Sequence, residues 1–307
     1  MKSLKFIVVF ICLSAFYSCT IDKTNFKQET SIDEEKNSFE EVVSINIDDY
    51  KVYIEALGGQ FYKGYNKVKV KIEDKSSGEK LRFSEVNFLP ILTNSDTILE
   101  SCPHLYEMEY HSEDQSYHGY VIYTEVSHTE FDWRINIGFT INGNIYSGKE
   151  HIVVKEQPNK NLNMVSFTGH DDKEYLLALI SPTRPKVAEN NLIAGLFIKK
   201  LNSIDGDKTI DEADSSYSIV NHHKILLDPR MPEPSMGNHS SPNNEDLEQA
   251  IDGFYHGIVN YTMTGNWTLN FMVFNEKGDL LKGTEVSEDF TPGIEGEKSE
   301  LYIDILF

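Results

Sequence analysis

No stretch of this 307-residue chain sustains the 3.6-residue apolar period of an amphipathic helix. Alternation recurs instead. Tyr65-Asn-Lys-Val-Lys-Val-Lys-Ile-Glu-Asp74 interleaves apolar and charged residues, the period of a half-buried strand, and Ser76-Ser-Gly78 then reads as a turn. Further strand candidates lie at 86–90, 117–126, 131–141, 175–180, 192–200, 217–220, 224–227, 257–263, 267–274 and 299–307. Asn142-Gly143 is a hairpin signal between two of them. Many short strands separated by turns predict an all-β sandwich or barrel.

The segment 228–242 breaks the alternation. It holds Met231, Met236 and His239 among Pro229, Pro232, Pro234, Pro242 and Gly237. Prolines remove donors and clash with a preceding turn, so the segment should be neither helix nor central strand. A loop with two methionines is unusual, because the ordinary place of a thioether is a gap in a core.

A similar layout lies upstream. Cys102-Pro103 can be set against Met231-Pro232, and Met108-x-x-His111-Ser112 against Met236-x-x-His239-Ser240. Downstream, Tyr117-His-Gly119 recurs as Tyr255-His-Gly257, and Trp133-Arg-Ile-Asn-Ile137 as Trp267-Thr-Leu-Asn-Phe271. Trp133 and Trp267 are the only tryptophans. The period is far longer than the ~20–50 residues of solenoid repeats, so it points to duplicated domains. The expected division is 46–157 and 165–307, two tandem immunoglobulin-like β-sandwich domains.

The formal charge of −21 disfavours nucleic acid or anionic lipid as a partner bound through a basic patch. Lys2 and Lys5 precede an apolar run over 6–17, too short for the ~20 residues of a membrane-spanning helix and suited to a secretory signal. Residues 19–45 are polar, with Asp33-Glu-Glu35 and Glu40-Glu41, and read as a tether. The signal ends Phe16-Tyr-Ser-Cys19, which resembles the lipobox of bacterial lipoproteins, with Phe16 where leucine is usual. That resemblance implies removal of 1–18 and lipidation of Cys19. The chain would then sit in a bacterial cell envelope, lipid-anchored, facing periplasm or cell surface. Cys102 would be its one remaining thiol, which reads either as a buried inert group or as a metal ligand.

The motifs around the second methionine segment resemble a known family. Pro-Arg-Met-Pro-x-x-Ser-Met-Gly-x-His-Ser-x-Pro, then Asp252-Gly-Phe-Tyr-His-Gly257, then Met263-Thr-Gly-Asn-Trp267, are similar to the YtkA-like and FixH-like domains. The resemblance covers about 165–285, and the first half looks like a diverged copy. It implies small β-sandwiches of exported bacterial proteins, often linked with copper or other cation handling.

Two thioethers and an imidazole on one constrained loop suit Cu(I). The expected metal ligands are Met231, Met236 and His239 in the second half and Cys102, Met108 and His111 in the first. The thiolate makes the first site the tighter of the two. The bland alternative is that Met236 plugs the end of the sandwich while His239 caps a turn. His104, His118 and His256 read more simply as surface or fold residues, and Met263, Trp133 and Trp267 as core. No Gly-x-Ser-x-Gly, phosphate loop, His-Glu-x-x-His or cysteine pair is present, so no enzyme is expected. Two readings result. One is a copper chaperone or buffer near a metal pump or another envelope protein. The other is an immunoglobulin-like envelope scaffold or partner-binding module without metal.

Overall fold

The computed structural model describes residues 38–82, 85–94, 97–200 and 217–306. Among them the chain is built from strands and contains no helix. The first half holds β1 (Phe39–Ile47), β2 (Tyr50–Leu57), β3 (Phe61–Tyr62), β4 (Gly64–Asp74), β5 (Val86–Asn94), β6 (Thr97–Glu100), β7 (Glu109–His111), β8 (Ser116–Tyr123), β9 (Asp132–Ile141), β10 (Asn144–Ile152) and β11 (Val154–Lys155). The second holds β12 (Met164–Thr168), β13 (Glu174–Ser181), β14 (Glu189–Lys199), β15 (Tyr217–Ile219), β16 (Lys224–Met231), β17 (His239–Ser240), β18 (Glu245–Gln249), β19 (Tyr255–Asn260), β20 (Asn266–Phe274), β21 (Leu280–Lys282) and β22 (Tyr302–Leu306).

The first half is an antiparallel sandwich. One sheet runs β1-β2-β4-β8-β7, the other β10-β9-β5-β6. The alternation in β4 sends Val68, Val70 and Ile72 inward, each at most 1 % exposed, to meet Phe88, Trp133, Ile135 and Ile137 of the facing sheet. Asn142 and Gly143, both at positive φ, close the β9–β10 hairpin, as their sequence requires.

The same order returns in the second half. One layer runs β12-β13-β14-β19-β18, and β16 pairs with β20 in the other, with β17 on β16 and β21 and β22 on β20. The correspondence reaches individual side chains. Buried Asn66 donates to the Tyr62 and Gly64 carbonyls and accepts from the Tyr62 N–H. Buried Asn190 makes the same three bonds with Lys186 and Ala188. Each asparagine ties down the turn entering its long strand, β4 or β14. Pro90 sits opposite Ile135 in β5, and Pro229 opposite Leu269 in β16.

Two expectations need correction. The chain enters the fold at Phe39, inside the stretch read as tether. Val42, Val43, Ile45 and Ile47 give β1 an apolar face, and a register shift between Glu41 and Val43 hides its period. Asp228–Met231 is also not loop: it is the end of β16, with Asp228 to Arg230 paired along β20 and Met231 paired with β17. The other edge of β16 meets β18 only at Ile225 and β17 only at Arg230 and Met231. Pro229 therefore faces an open stretch of ladder where a missing donor is tolerated.

The halves have separate cores and a shared seam. Ile122 of the first packs with Leu176, Ala178, Phe197 and Tyr217 of the second. Tyr65 stacks on Tyr120 with centroids 6.0 Å apart, and Tyr120 meets Phe254 edge-on at 5.2 Å. Burial raises both tyrosine hydroxyls to about 12. Lys199 reaches across to Glu100 at 2.7 Å. At the connection, Gln157 Nε2 donates to the Lys63 and Leu162 carbonyls. Gly64, at φ +94°, leaves only 2.5 Å between a would-be Cβ and the Leu162 oxygen, so no other residue fits. Phe39–Phe307 accordingly forms one compact unit.

Replacing Asn190 by alanine strands three backbone groups at a buried strand entry. We expect Asn190→Ala to lose roughly 2–4 kcal/mol in urea unfolding, and Asn66→Ala a similar amount. A loss below about 0.5 kcal/mol in both would show that the clamps carry no weight.

Candidate metal site at one sandwich edge

The structure brings together part of the second methionine segment. Met231 ends β16 and His239 begins β17, and the two are direct register partners. Opposite residues of an antiparallel pair share a face, with Cβ atoms about 4.5–5.5 Å apart. The thioether of Met231 is 2 % exposed, whereas His239 is exposed to solvent. Met236 lies on the loop between them, half-buried against the second core.

The loop is tightly held. Its Met236 N–H donates to the Glu233 carbonyl at 2.8 Å. Gly237 and Asn238 both take positive φ. The Pro232 carbonyl accepts from the Gly296 N–H at 2.7 Å, and Asn238 Nδ2 donates to the Ser287 carbonyl at 2.9 Å. The segment 287–296 thus straps the loop in place.

A second wall comes from the β19–β20 connection. Thr262 Oγ1 lies 3.1 Å from His239 Nε2, and the His239 ring is 6.4 Å from that of Trp267. Gly265 (φ +136°) is the residue that admits Met231, whose Cε lies 2.9 Å from where a Cβ would sit. Met263, expected in the core, is 36 % exposed on this same connection. Arg230, next to Met231 but on the other face of β16, is buried against Asp228 at 2.8 Å.

The first half does not repeat this arrangement. Cys102 is fully buried in the first core, beside the point where the Pro103 carbonyl accepts from Ile122 N. Met108 points inward at Gly119, with Cε 3.1 Å from its would-be Cβ. Ile122 and Gly119 are three residues apart on β8, about 10 Å at ~3.3 Å per residue. His111 is exposed, and strand alternation places it on the opposite face from Met108. Cys102, Met108 and His111 are therefore not gathered into one site.

Register explains why. Leu92 pairs with Glu100 as Met231 pairs with His239. The Met108 N–H meets the Val86 carbonyl where Leu247 pairs with Ile225. Glu109 faces His118 as Glu248 faces His256. Counting along each strand, Cys102 corresponds to Ser241, Met108 to Leu247 and His111 to Ala250. The alignment of Cys102 with Met231, suggested by the shared Cys/Met-Pro pattern, slips the two edges against each other.

Burial and the nearby Glu100 carboxylate push the Cys102 thiol well above its ordinary value. His104 Nδ1 is 2.6 Å from the Cys102 carbonyl, its buried Nε2 has no hydrogen-bond partner among the described residues, and burial lowers the ring to about 4. Residues missed in the sequence are Thr262, Gly265, and two aspartates four residues before each Tyr-His-Gly histidine. Asp114 holds His118 at 3.0 Å and Asp252 holds His256 at 2.9 Å. Their signal was visible: each precedes its histidine by the same spacing. Neither a protein-family model nor a curated protein matches the chain.

A thiol so placed should be inert. Folded protein at pH 8 is expected to react with an aromatic disulfide reagent at least about a hundredfold more slowly than denatured protein, since thiolate and access both fall with burial. Rapid labelling of the folded chain at Cys102 would contradict the placement.

Proposed function

We propose that the chain is an exported bacterial lipoprotein, anchored through Cys19, that holds one Cu(I) ion at the Met231–Met236–His239 edge as a chaperone or buffer. The observation that carries the reading is the register pairing of Met231 with His239, with Met236 on the short loop between them. Two thioethers and an imidazole are a soft donor set that favours Cu(I) over hard cations. The exposed imidazole gives access from solvent, and the buried thioether gives a water-poor side. With Thr262 Oγ1 at Nε2, the His239 Nδ1 lone pair is the one left for a metal. The resemblance to YtkA-like and FixH-like domains points the same way. The first half supports no second Cu(I) site of this kind, so one ion rather than two is the expected load.

The test is a Cu(I) competition titration of reduced protein against a chromophoric chelator. One equivalent should bind. Met236→Leu and His239→Ala should each weaken binding at least tenfold, or about 1.4 kcal/mol. Cys102→Ser should leave it unchanged. Absence of competitive binding would remove the metal reading and leave the envelope scaffold. A large loss in Cys102→Ser would move the ion to the first half.

Cys19 and residues 1–18 lie outside the described residues. Mass analysis of the membrane fraction should find a mature chain beginning at Cys19 with added acyl mass. An unacylated start elsewhere would end the anchoring proposal.

A further inference from the structure

Two imidazoles lie against each other on the outer face of the first sandwich. His111 of β7 and His118 of β8 stack with ring centroids 3.9 Å apart and planes 13° from parallel. The strands dictate the face. In β7, Glu109 and His111 point outward while Tyr110 packs against the first core. In β8, Tyr117 points inward and His118 outward.

One ring of the pair is fixed from behind. His118 Nε2 lies 3.0 Å from Asp114 Oδ2, 3.3 Å from Oδ1 and 3.0 Å from Ser116 Oγ. Ser116 Oγ in turn donates to Asp114 Oδ1 at 2.6 Å, and Lys69 pairs with the same carboxylate. The Nε2 side of His118 is therefore occupied, and Nδ1 remains. A carboxylate on the far nitrogen is the arrangement that orients metal-bound histidines and raises their basicity.

The second half supplies an internal comparison. Asp252 and His256 reproduce the dyad at 2.9 Å, also facing a glutamate across the ladder, but Ala250 stands where His111 does. The dyad alone is thus a feature of the fold at the start of β8 and β19. The second imidazole is an addition peculiar to the first half, on an exposed strand, where packing does not call for it.

We propose that His111 and His118 form a bis-imidazole site for a borderline divalent cation, with Cu(II) bound most tightly. Imidazole nitrogens suit Cu(II), Zn(II) and Ni(II), and affinity for nitrogen sites peaks at Cu(II). Two nitrogens on one such ion, at about 2.0–2.1 Å each, sit about 3–4 Å apart; the rings are near enough for this, but their near-parallel planes keep the in-plane lone pairs from converging, so one ring must turn. Rotation of the exposed His111 ring brings its nitrogen to the ion while Asp114 keeps His118 in place. Among the described residues no three His, Cys, Asp or Glu side chains gather into a metal cage. Water therefore completes the shell, and the site exchanges its ion readily. It shares no ligand with the Met231–His239 edge and does not depend on the Cu(I) reading.

The experiment titrates the full chain with Cu(II) at pH 7.5, followed by calorimetry and electron paramagnetic resonance, with Zn(II) in a parallel series. Wild type, His111→Ala, His118→Ala and His256→Ala are compared, with circular dichroism checking that each is folded. The wild type should show a tightest site with hyperfine structure from two imidazole nitrogens. His111→Ala and His118→Ala should each weaken that site at least tenfold and leave one nitrogen, and His256→Ala should change neither. Zn(II) should follow the same order at lower affinity. Retention of affinity and the two-nitrogen pattern in His111→Ala would place copper elsewhere, at His222-His223 for instance, and overturn the proposal. Failure of the wild type to hold Cu(II) would overturn it as well.

Discussion

Each sandwich is closed by one buried indole, and the path of one connection depends on how its single polar atom is satisfied. A tryptophan side chain covers a large apolar area, but its N–H must find an acceptor once water is excluded. Trp133 donates to the Glu125 carbonyl at 2.9 Å and Trp267 to the Met263 carbonyl at 3.0 Å. Both acceptors lie on the link between the strand ending one sheet and the strand entering the other, β8 to β9 and β19 to β20. The core therefore dictates where that link runs. In the second half the same link carries Thr262, which meets His239, and Gly265, which makes room for Met231. The geometry of the Met231–His239 edge is thus inherited from the interior.

One scaffold presents different chemistry at its two edges. Inward positions keep their character: Trp133 and Trp267, Ile135 and Leu269, Ile137 and Phe271 are all at most 1 % exposed. Toward the end of β16 and its counterpart β5 the equivalent places hold unrelated side chains, in buried as well as exposed positions: Leu92 is 3 % and Met231 2 % exposed. Leu92 and Glu100 face each other where Met231 and His239 do. The Met231–His239 pair near Trp267 is peculiar to the second half, since the first half forms the same strands with Leu92 and Glu100 there. His111 is likewise peculiar to the first half, against Ala250 in the other.

The strands were legible because most bury one face and expose the other, which writes a period of two into the residues. The hairpin at Asn142-Gly143 and the matched tryptophans were legible for equally local reasons. The edge strand β1 was not, because Glu40-Glu41 dominates its start and the shift after Glu41 breaks the alternation. Matching sulfur to sulfur, Cys102 to Met231, sets the two halves in the wrong register. Leu89-Pro90 against Asp228-Pro229 gives the correct frame, since a proline inside a strand is confined to positions where the ladder is open. The aspartates behind His118 and His256 stand at the same distance in both halves and carry a signal that the tripeptide alone does not.

The stretch Tyr175-Leu-Leu-Ala-Leu-Ile180 departs from alternation altogether and is buried on both faces. A strand covered on one side only would carry polar residues at Leu176 and Ala178; these two instead fill the seam with Ile122. That seam also uses the outward face of β8. Along this one strand, Tyr120 and Ile122 pack against the second half, while His118, on the same face, lies beyond the contact. The strand that carries the imidazole is therefore held by hydrogen bonds to β4 and β7 at its edges and by apolar contact farther along its outer face. A ligand on such an element is held more rigidly than one on a loop, because moving it would disturb both the sheet and the seam. His111, on the three-residue edge strand β7, has no comparable restraint. The pair thus joins a fixed nitrogen to an adjustable one, which lets a site form around an ion without any rearrangement of the sandwich.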